Sequence, residues 1–417
     1  MKPKYLAIML TAAMVFALAS SSWAGARYKV LHNFGSGKDG YYPSGPLLPG
    51  GGGLYGGTNA GGTGSCEDYG CGTVFELVPR INGTWREKIL YSFPAYRDGA
   101  PWGALIWGAP GTLYGTTTGG PDSDNEVFEL SPGSGGWDFD ALYNDGLGRG
   151  SAGPGLLTDG SGDLYGPMGV GQYKYGAIAE LSPGSNGWNY TALYSFCSTY
   201  CPDGFDPPTP PIWDGKGNMF GTTTAGGIYK APCWMHTLGC GVIYEMTPND
   251  DGTWTYHVLH RFLESSSTDG QSPYSGLVMD KAGNFYGATW EGGRYYQGTV
   301  FKLAYTGGKW KETILYDFPD CGYGCMVEGT LALDKAGNLY GTAAGGGGNC
   351  GYACGVVFKL SPQKNGKWRY SVVYNFTAAG GGLQPFYGVI VDKKGHLFGV
   401  TSQFGKYGGG TAFEITP

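Results

Sequence analysis

Between residues 275 and 318 the apolar positions fall into four short runs separated by turn residues. Ser275 to Asp280 is apolar and leads into Asp280-Lys281-Ala282-Gly283-Asn284, whose glycine accepts the positive φ of a tight turn. Phe285 to Thr289 is aromatic and β-branched, a loop follows from Trp290 to Gln297, and Thr299 to Leu303 is a third run. After a turn over Tyr305 to Gly308, Trp310 to Phe318 alternates well enough to bury one face. Four such strands joined as an antiparallel meander make one blade of a propeller.

The unit recurs. Its second strand opens on Leu54-Tyr55-Gly56 and returns as Leu113-Tyr114-Gly115, Leu164-Tyr165-Gly166, Met219-Phe220-Gly221, Phe285-Tyr286-Gly287, Leu339-Tyr340-Gly341 and Leu397-Phe398-Gly399. A period of this length marks an array, solenoid or propeller. Third strands of the type Gly-Thr-Val-Phe-Glu-Leu follow each copy, and fourth strands start at Trp85, Trp137, Trp188, Trp254, Trp310 and Trp368. The seventh copy stops after its third strand at Thr416-Pro417, while Tyr28 to Phe34 matches a fourth strand with no blade before it. The two ends complement each other. The predicted fold is all-β: a seven-bladed β-propeller of four-stranded antiparallel blades, the last closed by the N-terminal strand so that no sheet edge stays open.

The consensus Asp-x-x-Gly-Asn-Leu-Tyr-Gly-Thr-Thr, followed by Gly-Thr-Val-Phe-Lys-Leu-Ser-Pro, Leu-Tyr-Ser-Phe and Asp-Gly-x-x-Pro-x-Gly-Leu, resembles the GloVer-type tandem repeat of bacterial exported "choice-of-anchor" proteins. The resemblance implies a propeller and brings no reaction or ligand with it.

Composition sets the compartment and excludes some partners. Lys2 and Lys4 precede an apolar run to about Leu18 and a small-x-small pattern at Ser22-Trp23-Ala24, the signature of a cleaved export signal. The expected domains are therefore a signal peptide over 1–24 and a single propeller over 26–417, secreted to the periplasm or outside the cell. No membrane span remains after cleavage, and a monomer is expected. All ten cysteines follow the cut, in close pairs: Cys66/Cys71, Cys197/Cys201, Cys233/Cys240, Cys321/Cys325 and Cys350/Cys354. In an exported chain these read as disulfides, and the gaps do not suit paired zinc knuckles. A formal net charge of −6 with no basic stripe argues against nucleic acid.

Meander topology puts the short, stereotyped turns on one face and the long, variable, cysteine-bearing loops on the other. That second face is the expected working surface. It is aromatic, with candidate binding residues Tyr41, Tyr42, Trp102, Trp234, His236, Trp290, Glu291, Arg294 and Tyr295, and with Tyr173, Tyr175, Tyr229, Tyr274, Tyr296, Phe386, Tyr387, Phe404 and Tyr407 in or beside the same loops. Flat amphipathic rings beside carboxylates suit sugars; glycine-rich loops packing on their own aromatics would look the same.

The candidates for acid–base chemistry are Asp98, Asp203 and Asp269, each in an Asp-Gly step leading toward an innermost strand, where they could ring the channel mouth. The competing reading is an Asx-type turn needed at every blade entry. His32 and His260 stand where other copies have Tyr and read as substituted core positions. No catalytic triad, phosphate loop or metal site is predicted, and no cofactor, with a structural cation such as calcium left open. The functional expectation is a binding or scaffold protein for polysaccharide or another extracellular protein. The alternative is a polysaccharide lyase or glycoside hydrolase.

Overall fold

A computed structural model describes residues 25–66, 70–94, 100–109, 111–118, 126–144, 155–169, 171–228, 233, 239–263, 269–347, 354–377 and 381–417. These residues form seven four-stranded antiparallel blades in a ring, with no α-helix among them. In the fifth blade the strands are Val278–Met279, Phe285–Thr289, Thr299–Thr306 and Lys309–Asp317, paired in that order. The seventh blade is composite. Val389–Val391, Leu397–Thr401 and Thr411–Thr416 are completed by Arg27–Asn33, in a register that sets Arg27 against Thr416 and Asn33 against Thr411. The N-terminal strand closes the ring as its sequence pattern requires.

Innermost strands are shorter than the apolar runs suggest. Only Val278 and Met279 of the Ser275–Asp280 run pair with the second strand. The residues before them are satisfied elsewhere: the Ser275 hydroxyl donates to Ala288 O at 3.0 Å, and the Gly276 N–H donates to Thr330 Oγ1 of the next blade at 3.2 Å. Near the axis, then, the fifth blade bonds to the sixth as well as within itself.

In six of the seven blades the glycine of the Leu-Tyr-Gly block has a packing cause; in the third, Gly166 faces Ala179 and no ring. A Cβ on Gly56 would lie 2.5 Å from Cζ of Phe75, and one on Gly287 would lie 2.5 Å from Cζ of Phe301. The third-strand ring lies directly across the second-strand backbone, so only glycine fits.

The core divides into seven hydrophobic clusters, one in each seam between neighbouring blades. The fourth strand supplies both sides of this packing through a β-bulge. In the fifth blade the register slips between Val300 and Phe301, so that Tyr316 opposes Val300, Ile314 opposes Phe301, and Leu315 is the extra residue. The same slip occurs in every blade, including the composite one between Val30 and His32. Side chains alternate with period two, so one extra residue reverses the facing of all that follow. Glu312 and Tyr316 would otherwise share a face; the bulge turns Glu312 back toward the preceding blade and Tyr316 forward toward the next.

At five seams this arrangement stacks two rings face to face. The pairs are Tyr91/Phe139, Tyr143/Tyr190, Tyr194/Tyr256, Tyr316/Tyr370 and Tyr374/Tyr28, with centroids 4.0–4.9 Å apart and planes within 13° of parallel. The other two seams carry His32 against Glu87 and His260 against Glu312. The tryptophans that open the fourth strands pack on neighbouring second strands, as with Trp310 on Phe220 and Trp368 on Tyr286.

Four disulfides, Cys66–Cys71, Cys197–Cys201, Cys233–Cys240 and Cys321–Cys325, pin loops on the long-loop face. The expected fifth bond, Cys350–Cys354, is not among these four. Cys354 is fully buried just ahead of the Val356–Pro362 strand and is not a free thiol, whereas Cys350 lies outside the described residues. Residues 1–24, expected to be a signal peptide, also lie outside them. No helix among the described residues is long and apolar enough to cross a membrane.

Candidate functional site

The segments that deliver the chain into the innermost strands converge on a central cavity of about 540 Å³. Pro46, Trp102, Leu156, Pro208, Tyr274, Glu328 and Tyr387 line it, one from each of the seven blades. Prolines and leucines make much of the wall. Trp102, Tyr274, Phe386 and Tyr387 add four rings, with Trp102 set edge-on to Tyr387 at a centroid distance of 6.5 Å. Among the described residues, two carboxylates line this mostly apolar space, Asp206 and Glu328.

One blade-entry position, directly after a proline in five blades and after Val327 in another, generates the asymmetry. In the six blades where it is described it is Ser44, Trp102, Pro208, Tyr274, Glu328 and Phe386. The scaffold around it repeats while this one side chain differs in every copy. Five of the six line the cavity; Ser44 instead donates to Pro101 O at 2.6 Å, stitching the first blade to the second.

Electrostatics follow from the dry wall. Burial pushes the Glu328 carboxyl up to about 7, because an apolar surrounding disfavours the charged form. The Tyr274 hydroxyl is raised first by burial and then by the carboxylates of Asp206, Glu328 and Glu291 around it. Tyr387 is raised by burial and by Glu328. Asp206 is held by its backbone: its φ is +58°, and its carbonyl accepts from Thr224 N at 3.0 Å and Thr224 Oγ1 at 3.1 Å. The cavity thus offers stacking faces, phenolic donors and a carboxyl that changes charge near neutrality.

Of the sequence candidates, Trp102 stands in the cavity wall. Trp290 packs edge-on against Tyr274 at 5.6 Å, with its indole N–H buried and unpaired. Glu291 is half-buried beside it, its carboxyl raised by burial. Arg294 and Tyr295 are not in the cavity lining: the Arg294 guanidinium lies over the Tyr295 ring at 5.8 Å, and Tyr295 is exposed. Tyr41 and Tyr42 form an edge-to-face pair at 4.6 Å outside the cavity lining. Trp234, His236 and Asp98 lie outside the described residues.

Asp203 and Asp269 are not at the channel mouth. Both are buried in seams between blades. Asp203 Oδ2 accepts from the Tyr194 hydroxyl at 2.7 Å and from Cys197 N at 3.0 Å. Asp269 accepts from Leu263 N and Gly270 N and meets His260 Nε2 at 3.2 Å. From Asp269 to the first strand residue Val278 the chain has room to cover roughly 30 Å when extended, enough to pass from the seam to the axis. The carboxylates that do reach the axis, Glu328 and Asp206, are not among the sequence candidates. Lining up the seven copies at this blade-entry position would expose Glu328, the one acidic residue in a slot otherwise filled by rings, proline, serine or glycine.

Fold and strand register define the chain as a seven-bladed β-propeller built from tandem copies of one meander. Residues 228–417 match the family model described as the Gloeobacter/Verrucomicrobia repeat. That stretch carries the repeat, in agreement with the GloVer-type consensus, and strand pairing shows the same four-stranded unit in the blades before residue 228. No curated protein matches in sequence. Similar solved structures include a luciferin-regenerating enzyme (12% identity, 94% of this chain and 96% of that one, TM-score 0.45). The polysaccharide lyase Uly1 aligns at 10% identity over 92% of each chain, TM-score 0.47. An α-L-arabinanase from Penicillium chrysogenum aligns at 11% identity over 75% of this chain and 91% of that one, TM-score 0.43. Likeness at this level carries no argument about activity.

Proposed function

We propose that the protein is an exported binding propeller whose central cavity takes a segment of polysaccharide. The observation that carries this reading is the asymmetric wall: Trp102, Tyr274, Phe386 and Tyr387 set around Glu328 inside a symmetric scaffold. Pyranose rings present apolar C–H faces to such aromatics, while their hydroxyls pair with phenols and carboxyls. A volume of about 540 Å³ fits the size range of small-ligand sites and accommodates a short oligosaccharide. The disulfides suit an oxidising compartment, where such ligands are met.

The test is a glycan array on residues 26–417, followed by calorimetry on the oligosaccharides retained. Trp102→Ala and Glu328→Gln should each weaken binding at least about tenfold, the loss of one stacking or charge-assisted contact. Failure to retain any glycan, or retention unaffected by both substitutions, would sink the proposal. Release of reducing ends or unsaturated sugars during incubation would instead establish the hydrolase or lyase alternative.

A further inference from the structure

Two of the seven seams differ from the rest in a correlated way. Wherever the forward-facing residue of a fourth strand is Tyr, the next blade answers with Tyr or Phe and the rings stack. Where it is His, at His32 and His260, the next blade answers with Glu, at Glu87 and Glu312. A tyrosine lost to drift would leave its aromatic partner behind. Here both members of the pair have changed, in both seams, to the same two residue types.

In each seam an aspartate from the blade-entry turn completes the group, Asp39 with His32 and Glu87, Asp269 with His260 and Glu312. The candidate ligand atoms of each trio lie within 4.8 Å of one another. His32 Nε2 is 2.9 Å from Asp39 Oδ2 and 3.7 Å from Glu87 Oε2. These groups are enclosed: the side chains of Asp39, Glu87 and Asp269 are 7%, 10% and 7% exposed. Their hydrogen bonding is incomplete, since Asp39 Oδ1, Glu87 Oε1 and Glu312 Oε1 are buried with no partner. In the His32 seam one imidazole faces two enclosed carboxyl groups; in the His260 seam backbone N–H groups of Leu263 and Gly270 meet Asp269 and Glu312 is left over, and an unmet buried acceptor is costly. A cation held among the three side chains would take one ligand atom from each and supply the missing positive charge.

We propose that these two seams are divalent transition-metal sites, each bound by one imidazole nitrogen and two carboxylates. A mixed nitrogen and oxygen set of three side chains is the donor chemistry of zinc or a similar ion. It has too few oxygens for calcium. At the His32 seam a cavity of about 670 Å³ lined by His32, Asp39 and Glu87 gives the ion a path from solvent. The two sites fall on nearly opposite sides of the ring, four seams apart one way and three the other. One of them ties the strand that closes the ring, through His32, to the first blade.

The other five seams supply the control. His32→Tyr with Glu87→Tyr, and His260→Tyr with Glu312→Tyr, install the stacked pair used elsewhere in the same ring, so the variants should fold. Chelator-treated mature protein is dialysed against zinc and its bound metal measured by mass spectrometry, with circular dichroism confirming the fold. Two ions per chain are expected in the natural protein, one in each paired variant and none with both pairs exchanged. Excess calcium should displace neither, and chelation should lower the melting temperature of the natural protein but not that of the quadruple variant. Fewer than one zinc per folded chain, or a stoichiometry that survives the exchanges, would overturn the proposal.

Discussion

Tyr244 occupies the third-strand slot that is Phe75, Phe128, Phe301, Phe358 and Phe413 in five other blades. It is fully buried, and its hydroxyl has no hydrogen-bond partner. Burial alone holds that hydroxyl far above the usual phenol range. An unsatisfied buried hydroxyl costs about 1–3 kcal/mol, so Tyr244→Phe should raise stability by about 1 kcal/mol in urea unfolding; a loss of stability would show that the hydroxyl has a partner in solution. Residues of this kind explain what the sequence conceals. The phenylalanines, the Leu-Tyr-Gly glycines and the fourth-strand tryptophans are legible because each repeats. Glu328 occurs once in its slot, and nothing in its own neighbourhood, Met326-Val327-Glu328-Gly329, marks it. Its meaning depends on the other blades' rings arriving at the same axis.

Blade boundaries can be placed from strand patterns and turn residues, because a meander has local connections. The fourth-strand bulge cannot. A single slipped residue such as Leu315 is apolar like its neighbours, so the alternation hardly registers it, yet it decides which blade each ring will touch. Asp203 and Asp269 sit away from the expected channel mouth for a related reason: proximity in sequence to an innermost strand does not fix radial position in the ring. The seam stacks themselves can be measured. Tyr316 and Tyr370 lie 4.2 Å apart with planes 6° from parallel. A double-mutant cycle on Tyr316→Leu and Tyr370→Leu should give a coupling of about 0.5–1.5 kcal/mol, the range for offset-stacked rings. Additive single losses would mean that the rings contribute only by burial.

The whole molecule is a closed ring in which Arg27 and Thr416 are strand partners. Termini that meet this closely permit rearrangement of chain order. A permutant with the two ends joined by a short Gly/Ser linker and reopened at the exposed Asn365-Gly366 turn should keep its circular dichroism spectrum and a single unfolding transition. A collapse to an aggregate would mean that strand order, and not only strand pairing, directs assembly.

That same pairing has a consequence for how the protein is made. The Lys406 N–H donates to Asn33 Oδ1, 373 residues back along the chain, and the first strand finds its partner only when the last one exists. Throughout synthesis the leading strand waits unpaired, and a chain that stops short keeps it so. A truncated product therefore carries its own mark of incompleteness, two exposed sheet edges that a protease or a chaperone can recognise, while the finished ring hides both in a single step.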